Sequence, residues 1–167
     1  MIGNKLQLVT FSLGEDRFAA NIFSVERVLR FVPPRPVPDL PAWMEGVIDY
    51  QGRVVPVIDL RARFGAPGTR SDGARIVVCV AGDDWIGMTV DAVQEVWTID
   101  AGQLEPPPAL FRGLTRKYLT GLVRRDDGVL VVLDVAHLLT SRERLQLERA
   151  MGERAVGERA VGAEVAS

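Results

Sequence analysis

The chain is short of the residues that most reaction chemistry needs. It has one cysteine and one histidine in 167 residues. A single cysteine, Cys79, excludes an intramolecular disulfide, so the fold does not lean on an oxidising compartment. It lies inside the apolar run RIVVCVAG, where cysteine behaves as a small buried hydrophobe. The lone His137 has no serine or cysteine placed beside it by the sequence, so no nucleophilic set is indicated. CxxC, HExxH, GxGxxG and a Walker loop are all missing. The acidic pairs Asp83-Asp84 and Asp126-Asp127 fall in turns and offer too few oxygen ligands for a metal. No catalytic, cofactor-binding or metal-binding residue is expected, and no enzyme.

An excess of one charge is missing too. Twenty basic and 22 acidic residues leave a net charge of -2, which excludes the strong positive field of a typical nucleic-acid binder. One local cluster stands out: Arg112, Arg116, Lys117, Arg124 and Arg125, with Phe111 and Tyr118 among them. A small-barrel nucleic-acid module is the alternative it raises. A solvated loop and hairpin is the simpler reading, and no nucleic-acid partner is expected. No run of roughly 18 apolar residues is present, so no membrane insertion is expected. The opening MIGNKLQLVTF goes straight into a strand-like pattern, without the apolar core and cleavage site of a signal peptide. The expected location is the cytoplasm.

What the chain does have is an internal echo. LVTFSLGEDRFAANIFSVERVLRF from Leu8 aligns without a gap on IVVCVAGDDWIGMTVDAVQEVWTI from Ile76. Gly14 meets Gly82, Val25 meets Val93, and Val28 meets Val96. GVIDYQGRVVPVIDL from Gly46 echoes GLVRRDDGVLVVLDV from Gly121, and in each an Asp follows the first Gly by 13 residues, Asp59 and Asp134. Two copies predict two similar subdomains, about 6–67 and 74–140, within one domain of residues 1–140. Strand exchange between the two is compatible with the pattern. Each copy reads as short Val/Ile/Phe-rich strands separated by glycine and charged pairs, an all-β pattern that favours small closed barrels. The proline-rich FVPPRPVPDLP (31–41) and Glu105-Pro106-Pro107-Pro108 read as extended connectors.

Each apolar strand ends in Asp because the chain turns there. Asp59 is expected to cap the short turn RARF, and Asp134 the start of a helix over 136–151. That helix and a frayed tail, GERAVGERAVG, make up residues 141–167 beyond the barrels.

FSLGEDRFAANIFSVERV, PAWMEGVIDYQGRVVPVIDLRARFG, IGMTVDAVQEVWTI, PPP and YLTGLVRRDDGVLVVLDVAHLL, in that order, resemble the CheW family of chemotaxis coupling proteins. The resemblance runs from about Leu6 to Leu139, and GRVVPVIDLRARFG is its most specific part. It implies two five-stranded SH3-like barrels around a shared core, with a C-terminal helix. It also implies a non-catalytic adaptor between the cytoplasmic tips of methyl-accepting chemoreceptors and the regulatory domain of a CheA-type histidine kinase, at receptor arrays beneath the inner membrane. Receptor helices would dock in a groove between the barrels.

Carried over by position, the kinase-facing surface includes Val25, Arg27 and Gly46, with Val96 in the equivalent segment of the second half. The hairpin tip from Asp49 through Gln51 to Arg53 is its partner-reading part. Val28 and Val93 fit a core role equally well. Gly46, without a side chain, allows close backbone approach. The family's hairpin usually reads Asn-Leu-Arg-Gly where this chain has Asp49-Tyr50-Gln51-Gly52. Its strand usually reads Val-x-Glu-Ile where this chain has Val25-Glu26-Arg27-Val28. The usual Arg and Glu are missing together, which leaves Arg27 to meet Asp49 or Glu26. A specialised pathway with its own kinase, or with no conventional receptor, follows as the alternative.

Overall fold

The computed structural model describes residues 4–64, 72–107 and 118–150. The first half contributes β1 (Lys5–Leu13), β2 (Asp16–Asn21), β3 (Val25–Arg30), β4 (Met44–Tyr50), β5 (Arg53–Asp59) and the one-turn helix α1 (Leu60–Arg63). The second contributes β6 (Arg75–Ala81), β7 (Asp84–Val90), β8 (Ala92–Asp100), the two-residue β9 (Leu104–Glu105), β10 (Leu119–Arg125) and β11 (Gly128–Leu133). A final helix, α2, is described over 141–150.

The strands form two sheets, in the orders β8-β1-β2-β11-β10-β9 and β3-β6-β7-β5-β4. The fold is all-β, with two SH3-like barrels; the first carries β9 as a short sixth strand. Each sheet draws strands from both sides of the 67/74 division. The chain leaves the first sheet after β2 through a 3-10 turn, Ile22–Ser24, and enters the second as β3. It returns after β7, past Asp91, to pair β8 with β1. Asp91 holds this crossing: its carboxylate accepts from the Gly14 amide at 2.5 Å and from Arg61, while its own N–H donates to the Ser12 carbonyl at 2.9 Å.

Two-sided burial gives three cores. In β1, Leu8 faces the interior of the first barrel with Trp97, Val123 and Leu130. Phe11 and Leu13, on the other face, join the layer between the barrels with Met88, Leu119 and Leu138. Ile48, Tyr50, Val55 and Val78 fill the second barrel. Strands buried on both faces lose the simple alternation of a half-exposed strand, which is why LVTF and IVVCV show no apolar–polar alternation.

Both barrels close in the same way. After β3 the proline connector swings round and Arg35 bridges antiparallel to Val47 of β4, with N–H···O bonds of 2.8 and 2.9 Å. After β8 a 3-10 turn, Ala101–Gln103, leads into β9, which pairs with Leu122 and Val123 of β10. A glycine stands at each seam. A Cβ on Gly46 would lie 2.1 Å from the Arg35 carbonyl oxygen, and one on Gly121 would lie 2.3 Å from that of Glu105. Gly46 also sits at φ +139, a backbone that side chains rarely adopt. Three residues beyond each glycine an exposed ion pair spans the seam, Arg35–Asp49 at 3.2 Å and Glu105–Arg124 at 2.7 Å, with opposite polarity.

Asp59 caps α1, accepting from the Ala62 amide at 3.3 Å. Asp134 does not cap a helix. Its carboxylate is engaged by His137 Nδ1 at 2.7 Å, and Val135–His137 form a separate 3-10 turn. The expected helix from 136 therefore starts later, at 141. Thr140 and Glu143 cap it reciprocally: the Glu143 amide donates to the Thr140 hydroxyl at 3.1 Å, and the Thr140 amide to Glu143 Oε1 at 2.8 Å. The tail repeat lies outside the described residues.

Glu143 also fastens α2 to the barrels. The Arg63 guanidinium donates to both its oxygens, at 2.8 and 2.6 Å, and to the Leu138 carbonyl at 3.1 Å. The same guanidinium lies over the rings of Trp43, at 4.1 Å, and Tyr118, at 4.7 Å. Arg63 is only 5% exposed, so its charge is compensated by the bidentate carboxylate and two ring faces. Burial pushes the Glu143 carboxyl upward, but the bonds from Arg63 and Thr140 outweigh it and hold the group below its ordinary 4.5.

Two outcomes follow from these contacts. Gly46→Ala or Gly121→Ala should each cost about 2–4 kcal/mol in urea unfolding, because backbone on both sides cannot yield. Gly102→Ala, which has open space around it, should stay within about 0.5 kcal/mol. Glu143 binds its proton less readily folded than unfolded. Its contribution is therefore complete above pH 4.5 and is lost as pH falls through the depressed folded value. Glu143→Gln should cost about 2–3 kcal/mol at neutral pH and flatten the stability profile below pH 4.5. Urea midpoints of the two proteins across that range measure it.

Candidate protein-binding surface

The β4–β5 hairpin turns on two residues, Gln51 at φ 48 and Gly52 at φ 76. Both positive angles match the tight turn whose twist suits antiparallel strands, and glycine accepts such an angle without strain. The register Tyr50↔Arg53 and Asp49↔Val54 alternates the side chains between faces. Tyr50 points inward, its ring 5.3 Å from that of Trp85. Arg53 lies over the Trp85 ring at 4.1 Å and donates to the Asp83 carbonyl at 3.4 Å, so the tip is fastened to the β6–β7 turn. Gln51 at the apex is exposed.

The expected surface residues separate into three settings. Asp49, Gln51 and Arg53 share the hairpin tip of the second barrel. Arg27 and Val28 lie in β3 of the same barrel, paired with Val78 and Val77 of β6. Val28 is 38% exposed, which places it on the surface rather than in the core; Val96, its counterpart in the first barrel, is 48% exposed. Val25 and Val93 pack against the core between the barrels. Gly46 is buried, and the backbone that approaches it is Arg35 of the same chain.

Arg27 does not meet Asp49. Asp49 takes Arg35 instead, because the closing bridge sets Arg35 opposite Val47, one step diagonally from Asp49. Arg27 is exposed and has no ion-pair partner among the described residues. Sequence reasoning missed the Arg63–Glu143 anchor and the Trp85–Arg53 stack. T-S-R-E at 140–143 carries the capping-box spacing and signals α2's start; nothing in the spacing of Arg63 signals its partner 80 positions away.

Burial raises the Cys79 thiol to about 12, which keeps it un-ionised and inert. Among the described residues no three His, Cys, Asp or Glu side chains are grouped to hold a metal, and no helix is long and apolar enough to cross a membrane. Of the basic cluster, Phe111, Arg112, Arg116 and Lys117 lie outside the described residues. Arg124 pairs with Glu105, Arg125 lies over Trp97 at 3.6 Å, and Tyr118 is buried. Of the two aromatics in that cluster, Tyr118, the one within the described residues, is turned inward.

The CheW-like domain family matches residues 7–143. The chain is 30% identical over 149 residues to the chemotaxis protein CheW of Treponema pallidum, covering 86% of this chain and 87% of that one. It is 31% identical over 139 residues to protein FrzA of Myxococcus xanthus, covering 80% and 86%. The crystal structure of the scaffolding protein TtCheW from Thermoanaerobacter tengcongensis superposes with a TM-score of 0.76 at 32% identity, covering 83% of this chain and 94% of that one. With two crossed-over barrels, each sealed at a glycine, and this match over most of its length, the chain belongs to the CheW-like family.

Proposed function

We propose that the chain is a non-catalytic adaptor that couples chemoreceptors to a CheA-type histidine kinase in chemotaxis or related signalling. Its work is assembly: by holding both partners it lets receptor occupancy bias the kinase between states. The observation that carries this reading is the β4–β5 tip, a rigid hairpin locked by Arg53 on Trp85 with Gln51 left exposed at its apex. A tip fixed in this way pays little ordering entropy on docking. The regulatory domain of the kinase engages this tip together with Arg27 and Val28 of β3. Receptor tips engage the region between the barrels, beneath the inner membrane in the cytoplasm.

The charge layout favours a specialised partner within this role. Arg27 is a free exposed cation where the family pattern has Glu, and Gln51 is neutral where the pattern has Arg. Exposed pairs contribute little to folding, ~0–1 kcal/mol, but interface charges govern partner choice. The chain's own kinase carries a complementary acidic group opposite Arg27.

Calorimetric titration against the regulatory domains of conventional and cognate kinases tests this. Arg27→Glu with Gln51→Arg should strengthen binding to a conventional domain by about tenfold, which corresponds to about 1.4 kcal/mol, and weaken binding to the cognate one. Unchanged binding to both would remove these positions from the interface. Wild-type protein that binds no kinase domain would overturn the adaptor reading itself.

A further inference from the structure

A groove of about 790 Å³ runs between the proline connector and α2, walled by Val37, Pro38 and Asp39 on one side and by the helix on the other. The helix lines it with Arg142, Leu145, Gln146 and Arg149. These positions follow the i, i+3, i+4, i+7 spacing and so share one face. Leu145 is 49% exposed, an apolar side chain between two arginines. Both arginines are exposed and neither has an ion-pair partner among the described residues. The carboxylates of the helix are directed elsewhere. Glu143 is bound to Arg63, and Glu148 lines a separate pocket with Arg53 and Trp85. The groove face of α2 is therefore cationic at both ends and apolar in the middle.

The groove is also held open as a fixed shape. Gln146 Nε2 donates to the Asp39 carbonyl at 3.2 Å, tying the helix to the connector wall. Pro38 fixes the backbone of that wall, and Asp39 turns it at φ 65. The Arg63–Glu143 anchor and the buried Leu147 fix the other side of α2.

We propose that this groove docks an acidic amphipathic helix from a partner protein. Arg142 and Arg149 lie two turns apart, ~10.5 Å along the axis. A partner helix with carboxylates at i and i+7 and an apolar residue between them repeats that spacing, so each carboxylate meets one guanidinium and the apolar side chain covers Leu145. A flat anionic membrane fits less well, because the connector wall rises beside the arginines and carries the exposed carboxylate of Asp39.

The probe is a fluorescein-labelled, end-capped helical peptide of about 15 residues with Glu at i and i+7 and Leu between them. A second peptide carries Gln at both Glu positions. Fluorescence polarisation with the full chain should show binding to the acidic peptide that weakens steeply with added salt, and at least about tenfold weaker binding to the Gln peptide. Arg142→Glu with Arg149→Glu should abolish it, and Leu145→Ala should weaken it severalfold, with circular dichroism unchanged in both. Arg124→Glu, on the far barrel, should leave it intact. The proposal fails if the acidic peptide does not bind, or if the double variant binds it as well as wild type does. It fails equally if phosphatidylglycerol vesicles capture the chain and displace the peptide. Tighter peptide binding by about tenfold after removal of residues 151–167 would make the chain's own tail the occupant and also sink it.

Discussion

The architecture depends on two backbone contacts. At each barrel seam a carbonyl oxygen occupies the space that a β-carbon would need, Arg35 O against Gly46 and Glu105 O against Gly121. A barrel of short, strongly twisted strands is stable only when its edge strands find partners, because an open edge leaves a row of unpaired N–H and C=O groups. Here the closing segments are very short, a single bridge at Arg35 and two residues at β9. Neither could be drawn in if the opposite strand carried a side chain at that point. Both glycines stand beside a register shift in their strand, between Met44 and Gly46 and between Leu119 and Gly121. The bulge bends the strand towards the incoming segment, and the glycine lets it arrive.

Closure in turn determines what the surface can do. A sealed barrel has few main-chain groups left to offer a partner, so recognition falls to side chains on hairpin tips and outer faces. The tips are stiffened by the same device in both barrels: Arg53 lies over Trp85 in one and Arg125 over Trp97 in the other. Each stack lays the guanidinium of an exposed arginine over an aromatic face. Rigid tips bind with a smaller entropy loss, which suits a protein whose role is to hold others in place.

The repeat was readable because the two halves face the same constraints: strands buried on both faces, a glycine turn between them, a glycine at the seam, an Asp at the end. The exchange of strands was only compatible with that repeat. Exchanging β1–β2 with β6–β7 between equivalent barrels leaves each strand's buried pattern unchanged, so periodicity carries no record of it. The roles of the two terminal aspartates diverged for a local reason. Asp59 has an open amide at Ala62 to accept from, whereas Asp134 has His137 within reach, and the ring nitrogen takes the carboxylate. Of the expected surface, the hairpin tip was legible from its Gly turn, and Gly46 was legible as a close-approach position. The identity of the approaching backbone was not, because it depends on where a proline connector ends its swing. The Arg63 anchor was invisible for a related reason: its partners come from three distant segments and share no sequence spacing.

The two seams share a geometry but not a charge order. Arg35 reaches Asp49 at one, and Glu105 meets Arg124 at the other, with the cation on the closing segment in the first case and on the hairpin in the second. All four side chains are well exposed, so each pair contributes at most ~1 kcal/mol, and either polarity would serve the fold. Stability therefore does not select the sign. The two seams thus present opposite charge orders at the same structural position, at no cost to the fold.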